Sequence, residues 1–222
     1  MASLVPSPNY VRVSSVRVMS PFGIGTQRTI INGILEAVDA GADVISLSLG
    51  GVSSDQKQAA YEEAFQYAYD HNVVVVVAAG NSSDEAIRYT PANVSGVICV
   101  SSIDQTQKRS FFSNYMDDIV MPLAAPGTEI YSTMPNNKYA TMSGTSMSTP
   151  FVSSIAALMK SFDPSLTGPE VFSILNNTGL ETHGELATGR IIQPYEAIKM
   201  LKSEPIVKNT LKPLPQLVNQ RD

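Results

Sequence analysis

Five valines in succession, Val73 to Val77, run into Ala78, Ala79, Gly80 and Asn81 with no polar interruption before the asparagine. A short β-branched run without alternation has no exposed face to offer, so it predicts a strand covered on both sides, as inside a parallel sheet. Such a strand requires helices around it. Just before it, Ala60, Ala64 and Ala68 lie beside Tyr61, Phe65 and Tyr69, both sets at a spacing of four, which predicts an amphipathic helix over residues 55 to 71.

The same alternation continues along the chain. Val11 to Met19 is rich in valine and predicts a strand, with a turn after it in "SPFGIG". From Thr29 the pattern becomes helical: Ile30, Ile34 and Val38 share a face with Ile31 and Leu35 beside them, and Gly41 can end the helix in the left-handed conformation. "DVISLSLGG" predicts a short buried strand with a glycine exit, and Val97 to Ile103 another strand. Thr167 and Glu170 form a T-x-x-E capping box for a helix through Val171, Ile174 and Leu175, and a last helix is expected from Pro194 to Leu201. Together these predict an α/β fold, a three-layer wound, mostly parallel sheet with helices on both faces. Residues 1–202 read as one domain and 203–222, where periodicity is lost and prolines accumulate, as an extended tail or linker. There is no internal repeat.

Composition narrows the partners. The 222 residues, 43% of them hydrophobic, suffice for one sizeable core. A net charge of −5 with no basic cluster argues against nucleic acid. No apolar stretch reaches the roughly 18 residues of a membrane span, and "MASLVPSPNY" lacks the features of a signal peptide. The single cysteine, Cys99, sits in "GVICVSSI" and reads as a small buried side chain, which leaves no disulfide framework. No dense carboxylate loop is present, so no metal is expected; Asp117 and Asp118 read as a solvated turn.

In open parallel sheets functional groups gather where strands end at their carboxyl side. Three places qualify: Ser48, Leu49 and Gly50 after "DVIS", Asn81 after the valines, and Ser146 in "YATMSGTSMSTPFVSSIAAL". Ser146 precedes a helical pattern of Phe151, Val152, Ile155 and Met159, with Pro150 suited to a first turn. Two readings are open for it. Serine is a favoured N-cap; alternatively, free N–H groups and the helix dipole beside a hydroxyl can hold a developing oxyanion.

"GTSMSTP" resembles the nucleophile motif of the subtilisin-like serine proteases, the subtilases. "DVISLSLGG" is similar to their substrate-binding strand, "VVVVVAAGNSS" to the strand delivering the oxyanion asparagine, and "AAPGTEIYST" and "LATGRIIQPYEAI" also resemble family text. The similarity runs roughly from Val5 to Leu201. It implies a serine endopeptidase working through an acyl-enzyme, with Ser146 as nucleophile and its N–H and the Asn81 amide as oxyanion donors. It also implies that Ser48, Leu49 and Gly50 pair with a polypeptide substrate, while Ala78, Ala79 and Gly80 line the pocket for the side chain before the scissile bond. Family habit further implies secretion and, in many members, calcium; no other cofactor is implied. The chain departs from the pattern at Ser148, where alanine is usual, at Phe151, where histidine is common, and at Ser154, where glycine is common.

A serine hydroxyl needs a general base. His71 falls at the far end of the strand that leads to Asn81, and His183 lies in a loop without a triad counterpart. The family's D-[ST]-G and H-G-T-H motifs do not occur, and "VPSPNYVRVSSVRVM" resembles the segment that follows the histidine helix. The expectation is an N-terminally incomplete peptidase domain whose Asp and His belong to a missing segment, leaving an unpaired sheet edge. The alternative is a non-catalytic peptide-binding module.

Overall fold

Valines 73, 75 and 77 point to one face of the central sheet and valines 74 and 76 to the other, and all five are buried. The structure, a computed structural model, describes residues 10–184 and 187–203. The run forms β3 (Val74–Ala78), the second strand of a five-stranded sheet. Its neighbours are β1 (Val44–Leu47) and β5 (Ile98–Ile103), followed by β6 (Pro122–Pro126) and β9 (Arg190–Ile191), all in parallel register. Two short antiparallel pairs stand outside it: β2 (Gly51–Val52) with β4 (Tyr89–Thr90), and the hairpin β7 (Ile130–Met134) with β8 (Lys138–Met142).

Helices close both faces, as the uninterrupted valine run requires. On one side α1 (Gln27–Asp39) and α2 (Asp55–Asp70) bring Ile30, Ile34, Tyr61 and Phe65 onto Ile45, Leu47, Val75 and Val77. On the other, α3 (Thr145–Phe162), α4 (Gly168–Thr178) and α5 (Pro194–Ser203) cover Val74, Val76, Ile98 and Val100. The expected capping box forms: Thr167 accepts from the Glu170 N–H and the Glu170 carboxylate accepts from the Thr167 N–H. Gly41 follows α1 at φ +77°, the left-handed position expected of it. The last helix reaches Ser203, one residue past the expected boundary at 202, and the rest of the expected tail lies outside the described residues. Among the described residues no helix is long and apolar enough to cross a membrane.

One expected element is absent. Val11 to Met19 forms no strand among the described residues. Valine supplies β propensity, but a strand exists only by pairing, and β1 is the outermost strand of the sheet, with no partner on its outer side among the described residues. Val16 and Val18 instead lie over α1, so close to Gly33 that a Cβ there would collide with the Val18 side chain.

Candidate functional site

Leu47 of β1 stands opposite Val77 of β3, so the segments that follow, Ser48–Gly50 and Ala78–Gly80, leave the carboxyl edge of the sheet side by side. Helix α3 lies beneath that sheet, against β1, β3, β5 and β6, and starts at the same edge. This is how residues 48, 81 and 146 come together.

Ser146 is the second residue of α3, not its N-cap. The cap is Gly144, which has no side chain to offer. Asn81 takes over that task from across the site: its Oδ1 accepts the Thr145 N–H at 2.8 Å and the Thr145 hydroxyl at 3.0 Å. A backbone N–H can bond only the oxygen of an amide, so this contact fixes the amide orientation and leaves Nδ2 as the free end. A Cβ placed on Gly144 would lie 3.4 Å from Asn81 Nδ2 and 3.7 Å from the Ser146 nitrogen. Both nitrogens therefore lie close to the same point beside Gly144. The Ser146 N–H, in the first turn, has no acceptor within its own helix.

Pro150 is the sixth residue of α3 rather than a first-turn residue. It has no N–H to give the carbonyl four positions back, which is that of Ser146. Ser48 supplies the missing donor: its Oγ reaches the Ser146 carbonyl at 3.0 Å. In return the Ser146 hydroxyl donates to the Ser48 carbonyl at 3.3 Å.

Ala78 and Ala79 are buried, Leu49 and Gly80 half-buried, and Ser48 and Gly50 exposed. Gly80 takes φ +103°, a conformation that L side chains avoid, and its N–H donates to Thr145 Oγ1 at 3.2 Å. Thr145, which sequence reasoning passed over, is thus fully buried between the two elements it joins. The signal available was its place inside "GTSMS", between the motif glycine and Ser146.

Neither histidine bonds to Ser146. His71 caps the C-terminus of α2, at the opposite end of β3 from Asn81, with Nδ1 at 2.8 Å from the Tyr67 carbonyl; His183 Nδ1 lies 3.2 Å from the Thr106 carbonyl. Asp117 and Asp118 occupy an exposed turn, and no group of three or more His, Cys, Asp or Glu among the described residues could hold a metal ion. The arrangement brings the Ser146 hydroxyl, the free Asn81 Nδ2 and the unbonded Ser146 N–H to one sheet edge, beside two adjacent chain segments. It can present a hydroxyl, two N–H donors and two strand-end segments to a ligand.

The family model of the subtilases matches residues 10–195. The chain belongs to the subtilase family. This subtilase is 40% identical to thermitase of Thermoactinomyces vulgaris over 190 residues, 84% of this chain and 65% of thermitase. It is 38% identical to subtilisin DY of Bacillus licheniformis over 194 residues, 86% of this chain and 69% of that protein. Among solved structures, a protease from Pseudoalteromonas arctica superposes with a TM-score of 0.75 at 32% identity, covering 83% of this chain and 61% of that one. The subtilase spans 65% and 69% of the two curated relatives named and 61% of the solved one. At two of its departures from the family pattern, Ser148 and Ser154, the hydroxyl is buried without a hydrogen-bond partner.

Proposed function

We propose that this subtilase is the nucleophile-bearing part of a serine endopeptidase. Ser146 Oγ attacks a peptide carbonyl, and the oxyanion that forms is held by Asn81 Nδ2 and the Ser146 N–H; its collapse expels the amine and leaves an acyl-enzyme for water to hydrolyse. The substrate strand lies along Ser48, Leu49 and Gly50. Its residue before the scissile bond faces Ala78, Ala79 and Gly80. The proton of Ser146 has to leave for an imidazole, and we place that histidine and its orienting aspartate on a segment outside this sequence. The peptidase unit runs through α5, whose last residue is Ser203.

The observation that carries this reading is the meeting of Ser48, Asn81 and Ser146 at one sheet edge, with two N–H donors beside a hydroxyl in the first turn of a helix. A peptide-binding module without chemistry is the second reading, supported by the Ser146 hydroxyl donating to a carbonyl rather than to an imidazole.

A fluorophosphonate separates the two. With a segment supplying the histidine and aspartate docked on the chain, the endopeptidase reading predicts stoichiometric phosphonylation at Ser146, and little without it. Absence of labelling in the docked pair favours the binding module.

A further inference from the structure

We infer that Asn114 is a positioning residue for the turn that presents Asn81, an assignment that rests on the oxyanion role proposed for Asn81. Asn114 is fully buried and lies 33 positions further along the chain, in the stretch between β5 and β6. Four of its hydrogen bonds end on the backbone of the Asn81 turn. Its N–H donates to the Gly80 carbonyl at 3.0 Å and its Nδ2 to the Ala79 carbonyl at 2.9 Å. Its Oδ1 accepts from the Ser82 N–H at 2.9 Å and the Asp84 N–H at 3.2 Å.

These contacts fall on both sides of Asn81 and leave Asn81 itself to Thr145. The Asn114 amide suits this place because it donates and accepts at once. Ala79 offers an acceptor while Ser82 and Asp84 offer donors, so the side chain between them has to donate at one end and accept at the other. Gly80 is matched to it: a Cβ there would lie 2.5 Å from Asn114 Nδ2.

The template is itself anchored in the sheet. The neighbouring Ser113 hydroxyl accepts from the Ser102 N–H of β5 at 3.0 Å, and the Arg109 guanidinium donates to the Ser113 carbonyl. A chain segment leaving a strand has many conformations open to it, whereas an oxyanion donor acts only if held within about 0.5 Å of its working position. Asn114 removes that freedom from one side of the turn, and Thr145 from the other.

The test uses native-state amide exchange on the full chain together with turnover of the docked pair. Asn114→Ala removes both acceptor contacts, so exchange at Ser82 and Asp84 should rise by more than tenfold while the amides of β3 and β5 keep their protection. Asn114→Asp keeps the acceptor but sets an oxygen against the Ala79 carbonyl, so Ser82 and Asp84 should exchange more slowly than in Asn114→Ala. In the docked pair Asn114→Ala should lower kcat by about 10- to 100-fold with little change in KM. That loss should largely vanish in an Asn81→Ala background, because the two residues act through one donor. A rise in exchange spread evenly over the fold, or a kcat loss of equal size in both backgrounds, overturns the assignment. If the docked pair shows no turnover at all, the peptidase reading fails, and exchange alone decides whether Asn114 holds the turn.

Discussion

Thr145 meets Asn81 twice, through its N–H and its hydroxyl, and both bonds end on the same amide oxygen, at 2.8 and 3.0 Å. The amide is pinned by its oxygen with its nitrogen turned away. The same hydroxyl accepts from Gly80 N–H, so Thr145→Val leaves a half-buried donor unmet at nearly unchanged volume. Denaturant unfolding of the chain should show a loss of about 1–2 kcal/mol for Thr145→Val and much less for Thr145→Ser. Equal losses for the two would show that the hydroxyl does not matter.

Ser48 and Pro150 form a compensating pair around the Ser146 carbonyl. Ser48→Ala removes the donor that replaces the absent proline N–H and should cost about 1 kcal/mol. In a Pro150→Ala background the new N–H can close the helical bond to Ser146, so the cost of Ser48→Ala should shrink. A double-mutant cycle on unfolding free energies measures this, and strict additivity would contradict it.

The folded chain carries a removable defect at Ser148. Its hydroxyl is buried without a partner, next to Gly127, where an added Cβ would collide with Ser148 Oγ and Ser102 Oγ. Ser148→Ala should raise stability by about 1 kcal/mol, and Gly127→Ala should lower it by more than that. Thermal melts of the two variants check both signs.

Much of this was legible in the sequence because its causes are local. The valine run, the spacing of four in α2 and the Thr167–Glu170 box each state a burial or capping need that the fold then meets. Position in the helix was harder: Ser146 and Pro150 lie deeper in α3 than expected, because the cap is supplied from Asn81, 64 residues away. The expected strand at Val11–Met19 failed for a related reason, since propensity resides in the residues and pairing in a neighbour. Thr145 was missed because its importance comes from what it touches.

Cys99 gives a pH dependence with a defined sign. Burial pushes its thiol pKa well above the ordinary value, outweighing the lowering by a backbone hydrogen bond. The raised folded-state value favours the folded form fully below the unfolded thiol pKa of about 8.5. That contribution is lost as pH rises above it, by up to about 1.4 kcal/mol per pH unit. Between about pH 8.5 and 9.5, below the tyrosine range, the native chain should lose stability relative to Cys99→Ala. A pH-independent difference between them would contradict the assignment. A thiol reagent should modify Cys99 only as fast as the chain opens.

Ser146 is proposed as a nucleophile whose base is supplied by another segment. The most direct measurement is turnover of a peptide substrate by the chain alone, by the chain with a segment supplying the histidine and aspartate, and by that pair carrying Ser146→Ala. The proposed mechanism requires turnover by the pair, loss of nearly all of it on Ser146→Ala, and at most the residual rate expected of an incomplete triad from the chain alone, roughly 10³- to 10⁴-fold over water. Strong turnover by the chain alone that survives Ser146→Ala would contradict both the nucleophile and the missing base.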